Sequence, residues 1–285
     1  MAQIHPLALV HPEAVVGRDV EIGPFCVIEQ DVTIGDGCRL AGHVFVKQGT
    51  TLGQHNVIAE GAVIGGRPQH LGATGEVGRL VIGDHNQVRE HVTIHVGLTP
   101  TSATTIGNHC LLMVNVHIAH DCHIGDNVLM ANNVMLAGHV SIGNRAFISG
   151  AVGIHQFCRV GAYAMVGGQA HITQDIPPYV TVDGQSSLIV GLNKIGLKRA
   201  GFPDVEMKQL KEAYRIIYRS GARWSDVLAA LKEQFSTGAA AAFSAFFAEG
   251  KRGFVQERRT PSSATIKLVG TAEEKAESEE VRKVG

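Results

Sequence analysis

An aliphatic residue recurs at every sixth position of this chain, in a single phase, from Ile4 to Ile172. Of the 29 positions in that phase, 26 carry Ile, Leu, Val or Met, and the exceptions are His70, Glu76 and Pro100. This period fits neither an α-helix, with about 3.6 residues per turn, nor an isolated strand, with a period of about two. It is typical of the hexapeptide repeat, which builds a parallel β-helix. The sequence therefore predicts a solenoid of short strands around an aliphatic interior.

Two other positions of the repeat support this prediction. If the aliphatic residue is position one, position five is usually Ala, Val or Cys, as an inward-facing site near a corner requires. Position two is often Gly, which we attribute to corners that need a positive φ, a conformation that Gly adopts at little cost. Three repeats would make one triangular coil of 18 residues, and coils would stack about 4.8 Å apart.

Composition indicates the cellular compartment of the protein and the kind of partner it can have. The five cysteines all occupy position five, so we interpret them as small core residues. The chain has no Cys-x-x-Cys pair, no N-terminal apolar signal stretch and no apolar run of transmembrane length. These features predict a cytoplasmic protein. The net charge of −1 gives no reason to expect a polyanionic partner such as nucleic acid.

The repeat is interrupted at residues 65–79 and 95–105, where Gly, Pro and Thr predominate. We interpret both segments as loops that leave the solenoid, and such loops often carry binding residues. Pro177-Pro178 is expected to end the coils, so the β-helix is assigned to residues 1–186.

Residues 187–255 change to a helical pattern. The predicted helices are Asp204–Arg219, Trp224–Phe235 and Ala239–Glu249. We expect this domain to cap the open end of the solenoid, which would otherwise expose strand edges. Residues 256–285 are polar and of mixed charge, and we expect them to be disordered.

The histidines indicate where chemistry occurs. Repeats that start at residues 118, 136 and 154 are 18 apart and therefore share one face, and they contain His120, His139 and His155. Asp121 follows His120, and a carboxylate beside an imidazole can hold the ring in one tautomer for general-base catalysis. This clustering predicts a catalytic cleft on one outer face, between neighbouring subunits.

A zinc centre is the competing chemical interpretation. Gamma carbonic anhydrases, which share the hexapeptide fold, bind zinc through three histidines, two of which lie five residues apart. No two histidines of this chain have that spacing. His117, His120 and His123 are spaced by three, which directs them to different sides of the solenoid. We therefore expect neither a metal ligand set nor a cofactor.

Five motifs, taken in order, closely resemble those of the UDP-N-acetylglucosamine O-acyltransferases, which catalyse the first step of lipid A synthesis. The motifs are His117-Ile-Ala-His120-Asp121-Cys122, Leu136-Ala-Gly138-His139-Val140, His155-Gln156-Phe157-Cys158, Met165-Val-Gly-Gly168 and Gly196-Leu-Lys-Arg199. The resemblance covers about residues 1–255. It implies a left-handed β-helix, a homotrimer with active sites between subunits, and transfer of a 3-hydroxyacyl chain from acyl carrier protein to the 3-hydroxyl of the sugar nucleotide.

The resemblance also implies residue roles. His120 would be the general base, Asp121 would orient it, and the Gly138 N–H would stabilise the oxyanion. The other matched residues would contact substrates: His139, His155 and Gln156 at the sugar or the acyl chain, Gly168 at the far end of the acyl groove, and His117, Asn193 and Arg199 at the nucleotide sugar. No covalent enzyme intermediate is implied.

The chain departs from the family pattern in two places. The first loop usually reads Gln-Asp-Leu-Lys in the family, whereas here it is Gln69-His70-Leu71-Gly72. The other departure is in the last of the five motifs, around Gly196. The family often reads Asn-x-Glu-Gly-Leu-Lys-Arg-Arg there, whereas this chain has Ile195 in place of the Glu and Ala200 in place of the last Arg. Both changes lie on the nucleotide-sugar side, which leaves the acceptor open between a 3-hydroxy and a 3-amino sugar.

A transferase that uses an acyl-CoA donor is the other alternative. Carrier-protein use predicts a basic patch for an acidic partner, which a CoA-dependent enzyme would not need. The helical domain supplies Lys208, Lys211, Arg215, Arg219 and Arg223.

Overall fold

The structure is a computed structural model and describes residues 1–258. In this part of the chain, 28 strands form three sheets, and the predicted left-handed parallel β-helix with a helical cap is confirmed. The strands are β1 (Gln3–Ile4), β2 (Leu9–Val10), β3 (Val15–Val16), β4 (Glu21–Ile22), β5 (Val27–Ile28), β6 (Thr33–Ile34), β7 (Arg39–Leu40), β8 (Phe45–Val46), β9 (Thr50–Leu52), β10 (Val57–Ile58), β11 (Val63–Gly66), β12 (Arg79–Ile82), β13 (Gln87–Val88), β14 (Thr93–His95), β15 (Ala103–Ile106), β16 (Leu111–Leu112), β17 (His117–Ile118), β18 (His123–Ile124), β19 (Leu129–Met130), β20 (Met135–Leu136), β21 (Ser141–Ile142), β22 (Phe147–Ile148), β23 (Gly153–Ile154), β24 (Arg159–Val160), β25 (Met165–Val166), β26 (His171–Ile172), β27 (Val180–Val182) and β28 (Ile189–Leu192). The helices are α1 (Lys194–Arg199), α2 (Asp204–Arg219), α3 (Trp224–Gln234) and α4 (Ala241–Ala248).

Up to β26, each sheet collects every third strand, and β27 and β28 extend sheet A. Sheet A runs β1-β4-β7-β10-β13-β16-β19-β22-β25-β27-β28, sheet B runs β2-β5-β8-β11-β14-β17-β20-β23-β26, and sheet C runs β3-β6-β9-β12-β15-β18-β21-β24. Paired residues are 18 apart in uninterrupted coils, as in Gln3↔Glu21. Across the first loop the separation grows to 30, in Val57↔Gln87, and across the second to 24, in Gln87↔Leu111. Both insertions are multiples of six, which is why the aliphatic phase resumes after each loop.

The aliphatic series forms the core. From Ile22 to Ile172 its members in the strands are buried, whereas Ile4 is 45% exposed at the open first coil. The five cysteines are free thiols and all are buried, as predicted. Burial raises the pKa of Cys122 to about 12, so this thiol is un-ionised at neutral pH and is not a nucleophile.

The explanation given for Gly at position two is wrong. The left-handed φ occurs at position four, where non-glycine residues adopt it, including His55 at 54° and His139 at 60°. Asn, Asp and His tolerate this conformation best, and six of the 15 histidines occupy the position. A Cβ on Gly35 would lie 2.6 Å from the carbonyl carbon of Gly53 in the next coil. Where position two is Gly, as at Gly35, the next coil approaches too closely for a side chain.

One parallel strand follows Pro178, and an antiparallel strand lies beyond residue 186, the predicted end of the β-helix. Strand β27 pairs in parallel with β25, and β28 then returns antiparallel to β27, so β-structure extends past residue 186. Pro177 and Pro178 lie at a corner between Ile176, whose carbonyl accepts the Gly161 N–H, and Tyr179, whose N–H donates to Ala162. Corner residues need not donate to a ladder, so proline is tolerated there.

The C-terminal region is close to its predicted form. Helix α2 has the predicted bounds, α3 and α4 are slightly shorter, and α1 was not predicted. Residues 256–258, the start of the segment predicted to be disordered, are hydrogen-bonded to Ile189 at the start of β28. The Ile189 N–H donates to the Gln256 carbonyl, and the Arg258 N–H donates to the Ile189 carbonyl. The remainder, 259–285, lies outside the described residues. Within the described part of the chain, none of the helices combines the length and apolarity needed to cross a bilayer.

Candidate active site

A buried imidazole–carboxylate pair lies at the corner between sheets B and C, immediately after β17. The Nδ1 atom of His120 is 2.7 Å from Oδ2 of Asp121. His120 is 7% exposed and Asp121 5% exposed, so little water competes for this contact. If Nδ1–H donates to the carboxylate, Nε2 carries the lone pair that a general base requires.

The second loop, residues 96–102, holds Asp121 in place. The Leu98 N–H donates to Oδ2 of Asp121 at 3.1 Å, and the Asp121 N–H donates to the Thr104 hydroxyl at 2.8 Å. Burial disfavours the charged carboxylate, but the Ser102 hydroxyl, His120 and the Leu98 N–H outweigh it and lower the pKa of Asp121. Asp121 is therefore a carboxylate at neutral pH. The interruption of the repeat predicted this loop, but not the contacts of Leu98, Ser102 and Thr104 with Asp121.

Gly138 lies against the ring of His120. A Cβ at this position would be 2.7 Å from Nε2, so any side chain would displace the imidazole. Gly138 is a buried residue, and its N–H has no hydrogen-bond acceptor within residues 1–258. A free backbone donor beside a general base is the arrangement expected of an oxyanion site.

His139 completes the group around the base. Its ring is edge-on to His120, with centroids 5.1 Å apart, and stacks on Phe157 at 4.6 Å. Its Nε2 is 3.8 Å from Oδ2 of Asp121. Burial lowers the pKa of His139 although Asp121 raises it, so the ring is neutral at neutral pH.

The first loop, residues 67–78, places His70 beside the base. The His70 ring meets His120 edge to face, with centroids 5.5 Å apart, and its Nδ1 accepts the Gly72 N–H at 3.0 Å. Arg67 closes the loop by donating to two of its backbone carbonyls, at 2.6 and 2.7 Å. Gln69 is exposed next to His70. The residue that departs from the family pattern thus touches the candidate catalytic pair.

His117 belongs to a second imidazole pair on sheet B. Its Nδ1 is 2.8 Å from the Thr93 hydroxyl, and its ring is edge-on to His95 at 4.9 Å. Burial, together with His117 and His120, lowers the pKa of His95 to about 4, so this ring is neutral. Burial also lowers the pKa of His117. His95 was not predicted as a site residue, because it lies in the interrupted segment 95–105, where the repeat does not indicate which face a residue occupies.

His155 and Gln156 are exposed one coil further along. The His155 Nδ1 accepts a hydrogen bond from Nη2 of Arg252 at 3.1 Å. The C-terminal segment that carries Arg252 is tied to the coils by Arg159, whose Nη2 donates to the Phe246 carbonyl at 2.8 Å, and by Asp175, whose N–H donates to the Gly253 carbonyl at 2.9 Å. Arg252 is 97 residues from His155, and no periodic signal connected them.

Asn193 and Arg199 lie on a different face. The Asn193 side chain caps α1 by accepting the Gly196 N–H at 3.0 Å. Asn193 and Arg199 line a cavity of about 530 Å³ over sheet A, together with Phe147 and Met165. The His120 group, by contrast, follows strands of sheet B. Within one chain the structure therefore gathers His120, Asp121, Gly138, His139 and His70, but not the α1 residues.

Gly168 is exposed at the corner after β25 and has no positive φ. A Cβ there would meet only the Gly150 carbonyl oxygen, at 3.3 Å, and the Ser149 Cβ, at 3.8 Å. Its neighbour Gly167 is different, because a Cβ would lie 2.5 Å from the Gly184 nitrogen. The tight corner thus requires Gly167, whereas a Cβ at Gly168 requires only a few tenths of an ångström of movement at Gly150.

Sequence comparison identifies relatives along most of the chain. The profile of domain 2 of UDP-N-acetylglucosamine O-acyltransferase matches residues 175–255, and the bacterial transferase hexapeptide profile matches residues 13–48 and 103–138. The acyl-[acyl-carrier-protein]–UDP-N-acetylglucosamine O-acyltransferase of Halorhodospira halophila is 48% identical over 237 residues, 83% of this chain and 92% of the relative. The enzyme of the same name from Thiobacillus denitrificans is 43% identical over 90% of this chain and its own full length.

Solved structures agree with the sequence relatives. LpxA of Acinetobacter baumannii superposes with a TM-score of 0.85 at 41% identity, covering 89% of this chain and 99% of that protein. The UDP-N-acetylglucosamine acyltransferase of Francisella novicida gives a TM-score of 0.86 at 38% identity, covering 90% and 95%. Identity at this level over nearly the whole described chain means that the protein belongs to the UDP-N-acetylglucosamine O-acyltransferase family.

Proposed function

We propose that this protein transfers a 3-hydroxyacyl chain from acyl carrier protein to the 3-hydroxyl of UDP-N-acetylglucosamine, the first step of lipid A synthesis. The observation that carries the proposal is the buried His120–Asp121 pair, 2.7 Å apart, with the free Gly138 N–H beside it. The names of the relatives supply the donor and the acceptor.

In the proposed reaction, Nε2 of His120 removes the proton of the sugar hydroxyl, and the hydroxyl oxygen attacks the thioester carbonyl carbon. The Gly138 N–H stabilises the resulting oxyanion, and Asp121 stabilises the imidazolium. The tetrahedral intermediate then collapses, the carbon–sulfur bond breaks, and the carrier thiol leaves with the proton from His120. No enzyme nucleophile is needed, in keeping with the buried, un-ionised Cys122.

We further propose a homotrimer that works in the cytoplasm. The His120 group and the α1 residues lie on different faces of one chain, so a second chain is needed to bring Asn193 and Arg199 to the base. A three-sided prism can form a closed ring of three with one such cleft at each contact. The five free thiols fit a reducing compartment.

Acyl carrier protein is proposed to dock on α2. Lys208, Lys211 and Arg215 are exposed and form no ion pair within residues 1–258, whereas Arg219 pairs with Glu257 and Arg223 with Asp226. Three of the five predicted cations are therefore available to an acidic partner.

Reversing one of these charges should weaken the encounter with the carrier. We expect Lys211→Glu to raise the KM for acyl carrier protein roughly threefold to tenfold at low salt, with a smaller effect at high salt. Steady-state kinetics at two ionic strengths measures this, and Lys232→Glu on α3 is the matched control. Equal KM values for the two variants would contradict docking on α2.

The length of the acyl chain is proposed to depend on Gly168. In the family the matching residue ends the acyl groove, and Gly leaves the groove open, so we expect a long 3-hydroxyacyl donor to be preferred. Gly168→Met should shift the preference to a shorter donor, because its side chain occupies the volume of terminal methylenes, each worth about 0.8 kcal/mol when buried. Competition between long and short donors checks this, and an unchanged ratio in a folded variant would refute it.

Assays of the purified chain with acyl carrier proteins and UDP-sugars test the main proposal. The expected result is acyl transfer to UDP-N-acetylglucosamine from 3-hydroxyacyl carrier protein and not from acyl-CoA. His70 next to the base favours including the 3-amino sugar nucleotide in the panel. Activity with that sugar alone, or with acyl-CoA alone, would replace the proposal by the corresponding alternative.

A further inference from the structure

The candidate catalytic group also has the composition of a metal site. The chain has 15 histidines, 26 acidic residues and 5 cysteines. Within residues 1–258, only His120, Asp121 and His139 form a group of three whose potential ligand atoms all lie within 4.8 Å of one another. The exposed stack of His55, His85 and His109 contains more imidazoles in a row, but successive ring centroids are 4.9 Å apart and the row is linear. It therefore does not converge on one point.

We propose that His120, Asp121 and His139 bind one divalent transition-metal ion of the zinc type, and that this ion inhibits the enzyme reversibly. Two imidazoles and one carboxylate are a common ligand set for zinc. Zinc–ligand bonds of about 2.0–2.2 Å at tetrahedral angles separate the donor atoms by about 3.3–3.6 Å. The distances from Oδ2 of Asp121 are 2.7 Å to Nδ1 of His120 and 3.8 Å to Nε2 of His139, one below and one above that range, so small side-chain shifts bring the three atoms to one ion.

The three side chains are already held for such a role. The Leu98 N–H fixes the Asp121 carboxylate at 3.1 Å, and Phe157 supports the His139 ring from below. Outer contacts of this kind orient metal ligands and strengthen binding. His139 is 37% exposed, so an ion can enter from that side.

The ion would be an inhibitor because it uses the groups that the reaction needs. The distances place Nδ1 of His120 toward the ion. A metal ion on Nδ1 breaks the hydrogen bond to Asp121 and leaves the ring proton on Nε2, which then has no lone pair to accept the sugar proton. The base is lost in this way, and no oxidation or bond cleavage is involved. The inhibitory part of this inference depends on the proposed function, whereas the binding part does not.

Binding is tested on the full-length protein after treatment with a chelator. Titration with ZnCl₂ in a calorimeter should show one ion per chain, and Co²⁺ should give the visible absorption of a tetrahedral site. His139→Gln should weaken binding at least tenfold, and Asp121→Asn should do the same. His85→Gln, which removes a histidine from the exposed stack, should bind like the wild type. Absence of stoichiometric binding, or equal binding by His139→Gln and the wild type, would overturn the site.

The activity measurement separates an inhibitor from a catalytic metal. Chelator-treated protein should be fully active, ZnCl₂ should inhibit it in competition with UDP-N-acetylglucosamine, and chelator should restore the rate. Activation by ZnCl₂, or binding without inhibition, would overturn the inhibitory role. Protein that is inactive with and without metal would refute the proposed function, and calorimetry would still decide whether the site exists.

Discussion

Replacing His120 by Ala should lower kcat by about 10²–10⁴-fold, the range expected when a general base is removed. The pair with Asp121 is buried, and Gly138 lies against the ring, so no other side chain can take the place of the imidazole without rearrangement. Steady-state kinetics with saturating donor and acceptor measures the effect.

His123→Ala is the matched control for this substitution. His123 is three residues away on sheet C, is exposed, and contacts the Thr105 hydroxyl through Nδ1 at 2.9 Å. We expect this variant to keep near-normal kcat. A His120→Ala enzyme that turns over like the His123→Ala enzyme would show that the base is elsewhere.

Leu136→Ala should destabilise the fold by about 2–5 kcal/mol, the usual cost of truncating a buried leucine. Leu136 is 1% exposed and stacks between Ile118 and Ile154 in sheet B. The coil interior is lined by neighbouring strands on all three sides, so it has little freedom to collapse around the missing atoms. The free energy of unfolding from urea or guanidinium denaturation is the measurement.

Cys122→Ala provides the comparison at position five of the same face. Cys122 is also fully buried, but the substitution removes one sulfur atom instead of three carbons, so its cost should be clearly smaller. Its Sγ contacts the Ala137 carbonyl at 3.2 Å, a weak hydrogen bond. Equal and negligible effects of the two substitutions would contradict the assignment of position one to the core.

His70 makes the site of this chain differ from the family pattern. The usual motif places a carboxylate and a lysine on the first loop, and both charges are absent here. The structure places the replacing imidazole against His120, where it can contact an acceptor bound at the base. The choice between a hydroxyl and an amine on the acceptor is therefore most directly examined at this position.

Much of the fold was predictable because each coil contacts only the coils next to it along one axis. A strict six-residue period determines which side chains face inward, and a separation of 18 determines which residues stack, so His120 and His139 were predicted to lie near each other. Asp121 is adjacent to His120 in sequence, so their pairing needed no tertiary information. The bounds of α2 followed from a local helical pattern.

Only the tertiary structure decided what the non-periodic segments do. Leu98 and His70 lie on inserted loops, and a loop that leaves the coils carries no repeat that would indicate where its residues return. Arg252 reaches His155 from a position 97 residues further along the chain, on a segment that Arg159 holds through the Phe246 carbonyl. The role of position-two glycines was also misjudged, because the limiting contact is with the next coil and not within the turn. The repeat in the sequence by itself determined the solenoid and which face of it each residue occupies. The tertiary structure decided the contacts between distant segments, because these depend on how the loops and the C-terminal segment fold back onto the coils.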